Sequence, residues 1–284
     1  MNSTHHSVVV GVAPADYRLP LVLWAAAEAA VRDAELRLVT AVPMRAAPDL
    51  YLPAETADAL REAGHSRLAD AVERVRAHRP GLRVTTAVVS GAPADVLRTA
   101  GATADLLVVG TDDQSPFAET VSGSVPGSLL TTAPCPLAVV PHPEMSARDE
   151  LPMVAALDEV DTSKAALAYA FAAADRSRRS LVVVHCLLAE RKERASRPGQ
   201  TLLLAAFRGL YPHVAVTEDI APGDPRDVLA QWSRRAALMV LGSRGHGRLT
   251  STLFGSVGRI LIRRSGCPVV IARAGTGDLV EGAM

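Results

Sequence analysis

Apolar residues along this chain fall in short consecutive runs separated by longer stretches of helical character. "VVVGV", "LRLVTAV", "LRVTTAVV", "DLLVVG" and "PLAVV" in the first half answer "MVAAL", "LVVVHC", "VAVTED", "ALMVLG" and "PVVIA" in the second. Runs apolar at successive positions suit parallel strands covered on both faces, whereas strands with one wet face alternate. Between the runs lie "LPLVLWAAAEAAVRDA" and "TSKAALAYAFAAADRS", rich in alanine and apolar along one stripe, which predict helices. Asp224-Pro225 predicts a helix start, with Asp as N-cap and Pro at the first helical position. The alternation predicts an α/β chain of two tandem doubly wound parallel-sheet domains.

The halves are copies. Gly91, Gly110, Gly123, Ser124 and Pro136 match Gly223, Gly242, Gly255, Ser256 and Pro268, each pair 132 residues apart. At the start of each copy "SVVVGVAP" and "PMVAALDE" align instead at an offset of 145, so the second copy lacks thirteen residues, expected where "PMRAAPDLYLPAETADAL" faces "LLAERKERASRPGQTLL". The expected domains are residues 1–145 and 150–284, joined near "HPEMSARDELP".

With 284 residues, 49% of them hydrophobic, and a mean hydropathy of +0.18, the chain can build two sizeable cores. Its formal net charge is zero, so no global field draws it to nucleic acid or an anionic membrane. No apolar run approaches the ~18 residues of a membrane span, and the start does not read as a signal peptide, so a cytoplasmic protein is expected. Cys135, Cys186 and Cys267 are too scattered for a disulfide framework or a zinc pattern; Cys135 and Cys267, each before a proline and an apolar run, are expected to be buried thiols. His5-His6 is expected in a frayed terminus.

In a doubly wound sheet, ligands sit beyond the carboxyl ends of strands, at helix N-termini. "GSRGHGRLTSTLFGSV", residues 242–257, falls there, between the strand "ALMVLG" and the helix "SVGRILIRRSG", which is expected to open at Gly255-Ser256 and to end with Gly266 as its C′ residue. Gly242 closes the strand, Gly245 lets the backbone turn close to a ligand, and free N–H groups with the Ser256 hydroxyl can receive phosphate oxygens. The glycines also read as turn geometry alone, and Ser256 as a plain N-cap. Arg244 and His246 lie within the loop, while Arg263 and Arg264 suit the negative end of the helix.

Gly242, two residues, Gly245, nine residues, Gly255-Ser256, and then "CPVVIAR" resemble the ATP-binding signature and last strand of the universal stress protein superfamily, over essentially the whole chain. The resemblance implies a Rossmann-like fold of the adenine nucleotide alpha hydrolase kind and ATP as the ligand, with or without Mg2+. It implies a nucleotide site formed by Leu157, Asp158, Gly242, Arg244, Gly245, Gly255, Ser256 and Val257. Asp158 would hold the nucleoside, although a carboxylate there also reads as the cap of the next turn. Family habit implies a homodimer, and the last strands "PLAVV" and "PVVIA" are expected to meet within one chain. Protein partners are not named by the sequence.

The first copy departs from the pattern. Ala13 stands in the place of Asp158, Asp112 in that of Arg244, and Asp113 in that of Gly245. At ~5 Å and an effective dielectric of about 20, each like-charge contact with a phosphate costs roughly 3 kcal/mol, so the first copy is expected to be a module without nucleotide. No Walker loop, zinc-protease helix or nucleophile elbow occurs, so no catalytic residue is assigned. The expected function is an ATP-binding stress-response regulator, with a slow ATPase or a nucleotide-free interaction scaffold as the alternatives.

Overall fold

The computed structural model describes residues 6–13, 19–42, 45–47, 50–51, 53–111, 125–141, 150–157, 160–187, 198–242 and 253–273. Contacts divide the chain into two units, Met1–Leu137 and Ala138–Met284. The first copy runs β1 (Ser7–Gly11), α1 (Leu19–Val31), β2 (Glu35–Val42), β3 (Arg45–Ala47), β4 (Leu50–Tyr51), α2 (Ala54–His78), β5 (Val84–Ser90), α3 (Pro93–Gly101), β6 (Leu106–Gly110), α4 (Val125–Thr132) and β7 (Leu137–Val140). The second runs β8 (Met153–Leu157), α5 (Val160–Ser177), β9 (Leu181–Leu187), α6 (Pro198–Leu210), β10 (Val216–Pro222), α7 (Pro225–Ser233), β11 (Leu238–Gly242), α8 (Leu253–Arg264) and β12 (Val269–Ala272).

Both copies have the same strand order: β5-β2-β1-β6-β7 in the first and β10-β9-β8-β11-β12 in the second. The ladders β1–β2, β1–β6 and β2–β5 are parallel, as are β8–β9, β8–β11, β9–β10 and β11–β12. β3 and β4 form a separate antiparallel pair. The consecutive apolar runs become the central strands, and every residue of β8 and β11 is buried. The outer strands β5 and β10 have exposed positions, as their more polar sequences require.

Register locates the missing thirteen residues. Val8 pairs with Leu36 and Leu106, and Met153 pairs with Leu181 and Leu238, which sets offsets of 145 for the first and second strands and 132 for the fourth. Leu36 pairs with Val84 and Leu181 with Val216, so the offset has already dropped to 132 at the third strand. The deficit therefore lies between β2 and β5, where α2 has 25 residues and α6 has 13.

The two copies share a strained helix end. Asp33 (φ 51°) and Arg178 (φ 53°) follow α1 and α5 in the left-handed region, and Ala34 N–H and Arg179 N–H reach back 2.9 Å to the carbonyls of Ala29 and Ala174. This is a Schellman closure with a side chain where glycine is usual. Left-handed backbone costs an L-residue about 1–2 kcal/mol, partly offset by the entropy glycine loses on folding. Arg178→Gly is accordingly expected to raise stability by about 1 kcal/mol in thermal or urea melts.

The turn from the third strand into its helix needs glycine in both copies. Gly91 (φ 153°) and Gly223 (φ 134°) occupy matching places, and a Cβ there would lie 3.0 Å from Val96 Cγ2 or 3.2 Å from Val228 Cγ2. After Gly223 the expected cap forms: Asp224 accepts from Arg226 N–H at 2.8 Å with Pro225 at the first helical position. Hydrogen bonds from the Arg226 side chain and backbone hold the Asp224 carboxyl at about 2, well below the ordinary carboxylate value. A depressed folded-state value stabilises above the unfolded pKa and is lost as pH falls. Asp224→Ala is therefore expected to cost about 1 kcal/mol at neutral pH, and the difference from wild type should vanish between about pH 4 and 2.

Gly266 follows α8 as expected, but φ is positive, among the described glycines, only at Gly91 and Gly223. Its reason is proximity: a Cβ would stand 3.1 Å from Arg234 Cα, and its N–H donates to Ser233 Oγ at 2.9 Å. In the first copy the matching pair is Gly101 and Pro134, with a Cβ on Gly101 meeting Pro134 Cδ at 3.5 Å. Small and large have changed sides of one contact. Cys135 and Cys267 are buried, as expected. His6 departs from the frayed-end expectation: its Nδ1 lies 3.1 Å from Asp105, which also accepts from Ser7 N–H at 2.8 Å and so fixes the start of β1.

Candidate functional site

In the second copy β8 is where the strand order turns back, with β9 and β10 on one side and β11 and β12 on the other. Leu241 pairs with Ala156, which brings Gly242 level with Leu157. The ends of both strands therefore stand side by side at the carboxyl edge, where doubly wound sheets take their ligands. Because the strands are parallel, α5 and α8 both begin at that edge. Their first N–H groups, without intrahelical acceptors, and the positive ends of their dipoles favour an anion.

Of the expected site residues, Leu157 closes β8, Gly242 closes β11, and Val257 is buried in α8. Gly255 and Ser256 lie in the first turn of α8, but they do not open it, because the helix begins at Leu253. Leu253 and Phe254 accept helical backbone, and glycine within the first turn disrupts little hydrogen bonding, so the turn forms two residues earlier than Gly-Ser suggests. Asp158, Arg244, Gly245 and His246 lie outside the described residues.

One neighbour at this edge carries no sequence motif. His185 on β9 pairs with Leu157 and is the first polar residue after the apolar run "LVVV". Its Nε2 is 3.7 Å from Glu218, whose other oxygen lies 3.2 Å from Arg208 of α6. His185 and Arg208 thus flank one carboxylate of β10, whose residue is level with Val183 of β9. The break from apolar to polar at the end of "LVVVHC" was the available signal.

In the first copy Thr40 takes the place of His185, and its hydroxyl donates to the Val12 carbonyl at 3.1 Å. Val12 N–H donates in turn to Val39 at 2.9 Å. The end of that strand, just before Ala13, is closed by hydrogen bonds within the protein. Gly110 closes β6 as Gly242 closes β11, whereas Asp112, Asp113, Gly123 and Ser124 lie outside the described residues.

At the opposite, amino edge of β9 and β10 a cavity of about 580 Å3 is lined by Asp175, Arg178, Arg179 and His213, among others. Among the described residues no three His, Cys, Asp or Glu side chains stand together as metal ligands. Among the same residues no helix is long and apolar enough to cross a membrane.

The sequence model of the Universal stress protein family matches twice, at residues 4–141 and 152–273. Universal stress protein Rv2005c of Mycobacterium tuberculosis is 30% identical over 289 residues, covering 94% of this chain and 97% of that protein. Universal stress protein Rv2623 of the same organism is 30% identical over 293 residues, covering 94% and 96%. Among solved structures, a universal stress protein from Archaeoglobus fulgidus superposes with a TM-score of 0.76 at 18% identity, over 95% of this chain and 96% of its own, which is a likeness of fold. A universal stress protein solved in complex with cAMP aligns with 49% of this chain at 29% identity and a TM-score of 0.38; that ligand is a property of that protein.

Proposed function

The chain belongs to the universal stress protein family, as two tandem copies of its domain, and from that premise we propose that it is an ATP-binding regulator of the stress response holding nucleotide in its second copy. The observation that carries this reading is the pairing of β8 and β11 at the turn-back of the sheet, which sets Leu157 level with Gly242. That pairing supports a site shared by the two strand ends, to which this reading adds Asp158, Arg244 and Gly245.

In this reading Asp158 accepts hydrogen bonds from the nucleoside. The backbone from Gly242 through Gly245 turns close beneath the phosphates, and the first turn of α8 with the Ser256 hydroxyl donates to their oxygens. Arg244 adds a cation in reach of the triphosphate. The described part of the site fits such an anion, since two helix N-termini open at the same carboxyl edge. Mg2+, where it takes part, arrives on the triphosphate. Residues 1–145 form a structural module and 150–284 the nucleotide domain. Occupancy alters the surface that the carboxyl edge presents to protein partners in the cytoplasm, and no turnover is required for that role.

The direct test is to acidify purified protein, identify any released nucleotide by mass spectrometry, and follow the melting temperature as ATP is added. An adenine nucleotide in the extract or a saturable rise in Tm is expected. Neither would leave the nucleotide-free scaffold as the function.

A further inference from the structure

In the second copy α5 and α6 lead into β9 and β10 through short connections, residues 178–180 and 211–215. The strands are parallel, Leu181 pairs with Val216, and Leu181 N–H donates to the Ala215 carbonyl at 2.9 Å, so the two connections lie side by side at the amino edge of the sheet. Both connections and the last turn of α5 line the cavity of about 580 Å3, with Asp175, Arg178, Arg179, Ser180 and His213 in its wall. Small-molecule sites run from about 300 to 1,000 Å3, so the cavity is of a size to hold a metabolite.

The two arginines are held differently. Arg179 is half-buried, and its Nη1 donates to the Leu151 carbonyl at 3.3 Å, which positions the guanidinium. Arg178 is exposed, and among the described residues its guanidinium has neither a hydrogen bond nor an ion pair. Its backbone is left-handed (φ 53°), a conformation that glycine, asparagine or aspartate adopts at less cost than arginine. Closing α5 therefore gives no reason for arginine at this place, and strain kept in a cavity wall points to use of the side chain. The first copy supplies a control within the same chain. At the offsets fixed by strand register, Asp33, Ala34, Glu35 and Gly81 stand in the places of Arg178, Arg179, Ser180 and His213. Asp33 holds the same left-handed turn (φ 51°), so the turn is indifferent to the sign of the charge it carries. Two arginines beside Asp175 in the second copy thus replace two acids beside Arg83, the counterpart of Ala215, in the first.

We propose that this cavity binds a small hydroxylated phosphomonoester, with Arg178, Arg179 and His213 taking the phosphate and Asp175 and Ser180 taking hydroxyl groups. Each guanidinium presents a planar fork of N–H donors that matches two oxygens of one phosphate, and His213 adds a ring donor. A phosphomonoester offers three terminal oxygens and roughly two negative charges near neutral pH, which suits two forks, whereas a lone carboxylate fills one. The volume leaves room for an organic body beside the phosphate. Asp175 accepts hydrogen bonds and repels a second anion, and the Ser180 hydroxyl both donates and accepts, so the body they suit is neutral and bears hydroxyls. The cavity stands at the edge of the sheet opposite the proposed nucleotide site, and the assignment does not rest on that site.

Titration of the full chain with glycerol 3-phosphate, inorganic phosphate and glycerol, followed by backbone amide NMR shifts and by melting temperature, tests this, with Arg178→Asp, Arg178→Gly and His213→Gly as variants. Glycerol 3-phosphate is expected to move the amides of residues 178–180 and 213–215 saturably and to bind several-fold more tightly than inorganic phosphate, while glycerol moves none of them. Arg178→Asp and His213→Gly import the first copy's own residues, and should weaken glycerol 3-phosphate at least tenfold and threefold, with unchanged circular dichroism spectra. Arg178→Gly separates ligand from fold: it should raise the melting temperature of the free protein by relieving the left-handed residue, yet lose the further rise that glycerol 3-phosphate gives wild type. The absence of saturable shifts at these amides, equal affinity in Arg178→Asp and wild type, or inorganic phosphate binding as tightly as glycerol 3-phosphate would overturn the proposal. Shifts confined to the carboxyl edge would overturn it as well, by placing the phosphate there.

Discussion

Gly245→Asp is expected to weaken ATP binding at least tenfold while leaving the fold intact. The substitution imports the first copy's own residue, Asp113, at the matching place. It adds a carboxylate and a Cβ where the proposed site brings backbone close to phosphate. One like-charge contact at ~5 Å and an effective dielectric near 20 is worth about 3 kcal/mol, whereas a tenfold loss needs only about 1.4 kcal/mol, so a penalty halved by screening still passes the threshold. Calorimetry reads the affinity, and circular dichroism confirms that the sheet is undisturbed. Unchanged affinity would mean that the phosphates lie elsewhere than over residues 242–257.

The fold was legible because both of its main signals are physical and local. Consecutive apolar runs suit strands covered on both faces, which the central strands are, and the change of offset from 145 to 132 already marked the segment in which the second copy is shorter. Helix ends were less legible. Gly255-Ser256 reads as a start, yet Leu253 and Phe254 have no feature that bars helical backbone, so α8 begins with them. Gly266 reads as a left-handed cap, yet its reason is the approach of Arg234 from α7, a contact between elements distant in sequence. Among the described residues other than glycine, positive φ falls at Asp33 and Arg178, which carry no glycine signal at all.

The site was legible in its backbone frame and less so in its walls. The repeated glycines mark strand ends, Gly110 closing β6 and Gly242 closing β11, whereas Gly255-Ser256 stands two residues inside α8. His185 shows what spacing leaves out. It flanks Leu157 through strand pairing alone, and pairing between β8 and β9 becomes visible only with the register. Thr40, its counterpart, bonds the carbonyl of Val12 and so closes the strand end that precedes Ala13. The difference between the two copies thus extends beyond the charged loop residues to the neighbouring strand.

From that asymmetry follows the expectation that each chain binds a single adenine nucleotide, in the second copy. Glycines common to both copies cannot decide the matter, because they serve the turn with or without ligand; the side chains decide it. Asp158, Arg244 and Gly245 stand where the first copy has Ala13, Asp112 and Asp113. Two carboxylates near the phosphates, at roughly 3 kcal/mol each by the same Coulomb estimate, would lower affinity by several orders of magnitude. Titration with ATP at protein concentrations far above Kd should saturate near one per chain, and binding should disappear from the same titration in Gly245→Asp. If repulsion is the main obstacle, combining Ala13→Asp, Asp112→Arg and Asp113→Gly should raise the stoichiometry toward two, with the new site the weaker because Thr40 still closes the end of β1 and its neighbour. A wild-type value near two, or a value of one that survives Gly245→Asp, would place the nucleotide in the other copy or in both, and the charge argument would then have misjudged which copy works.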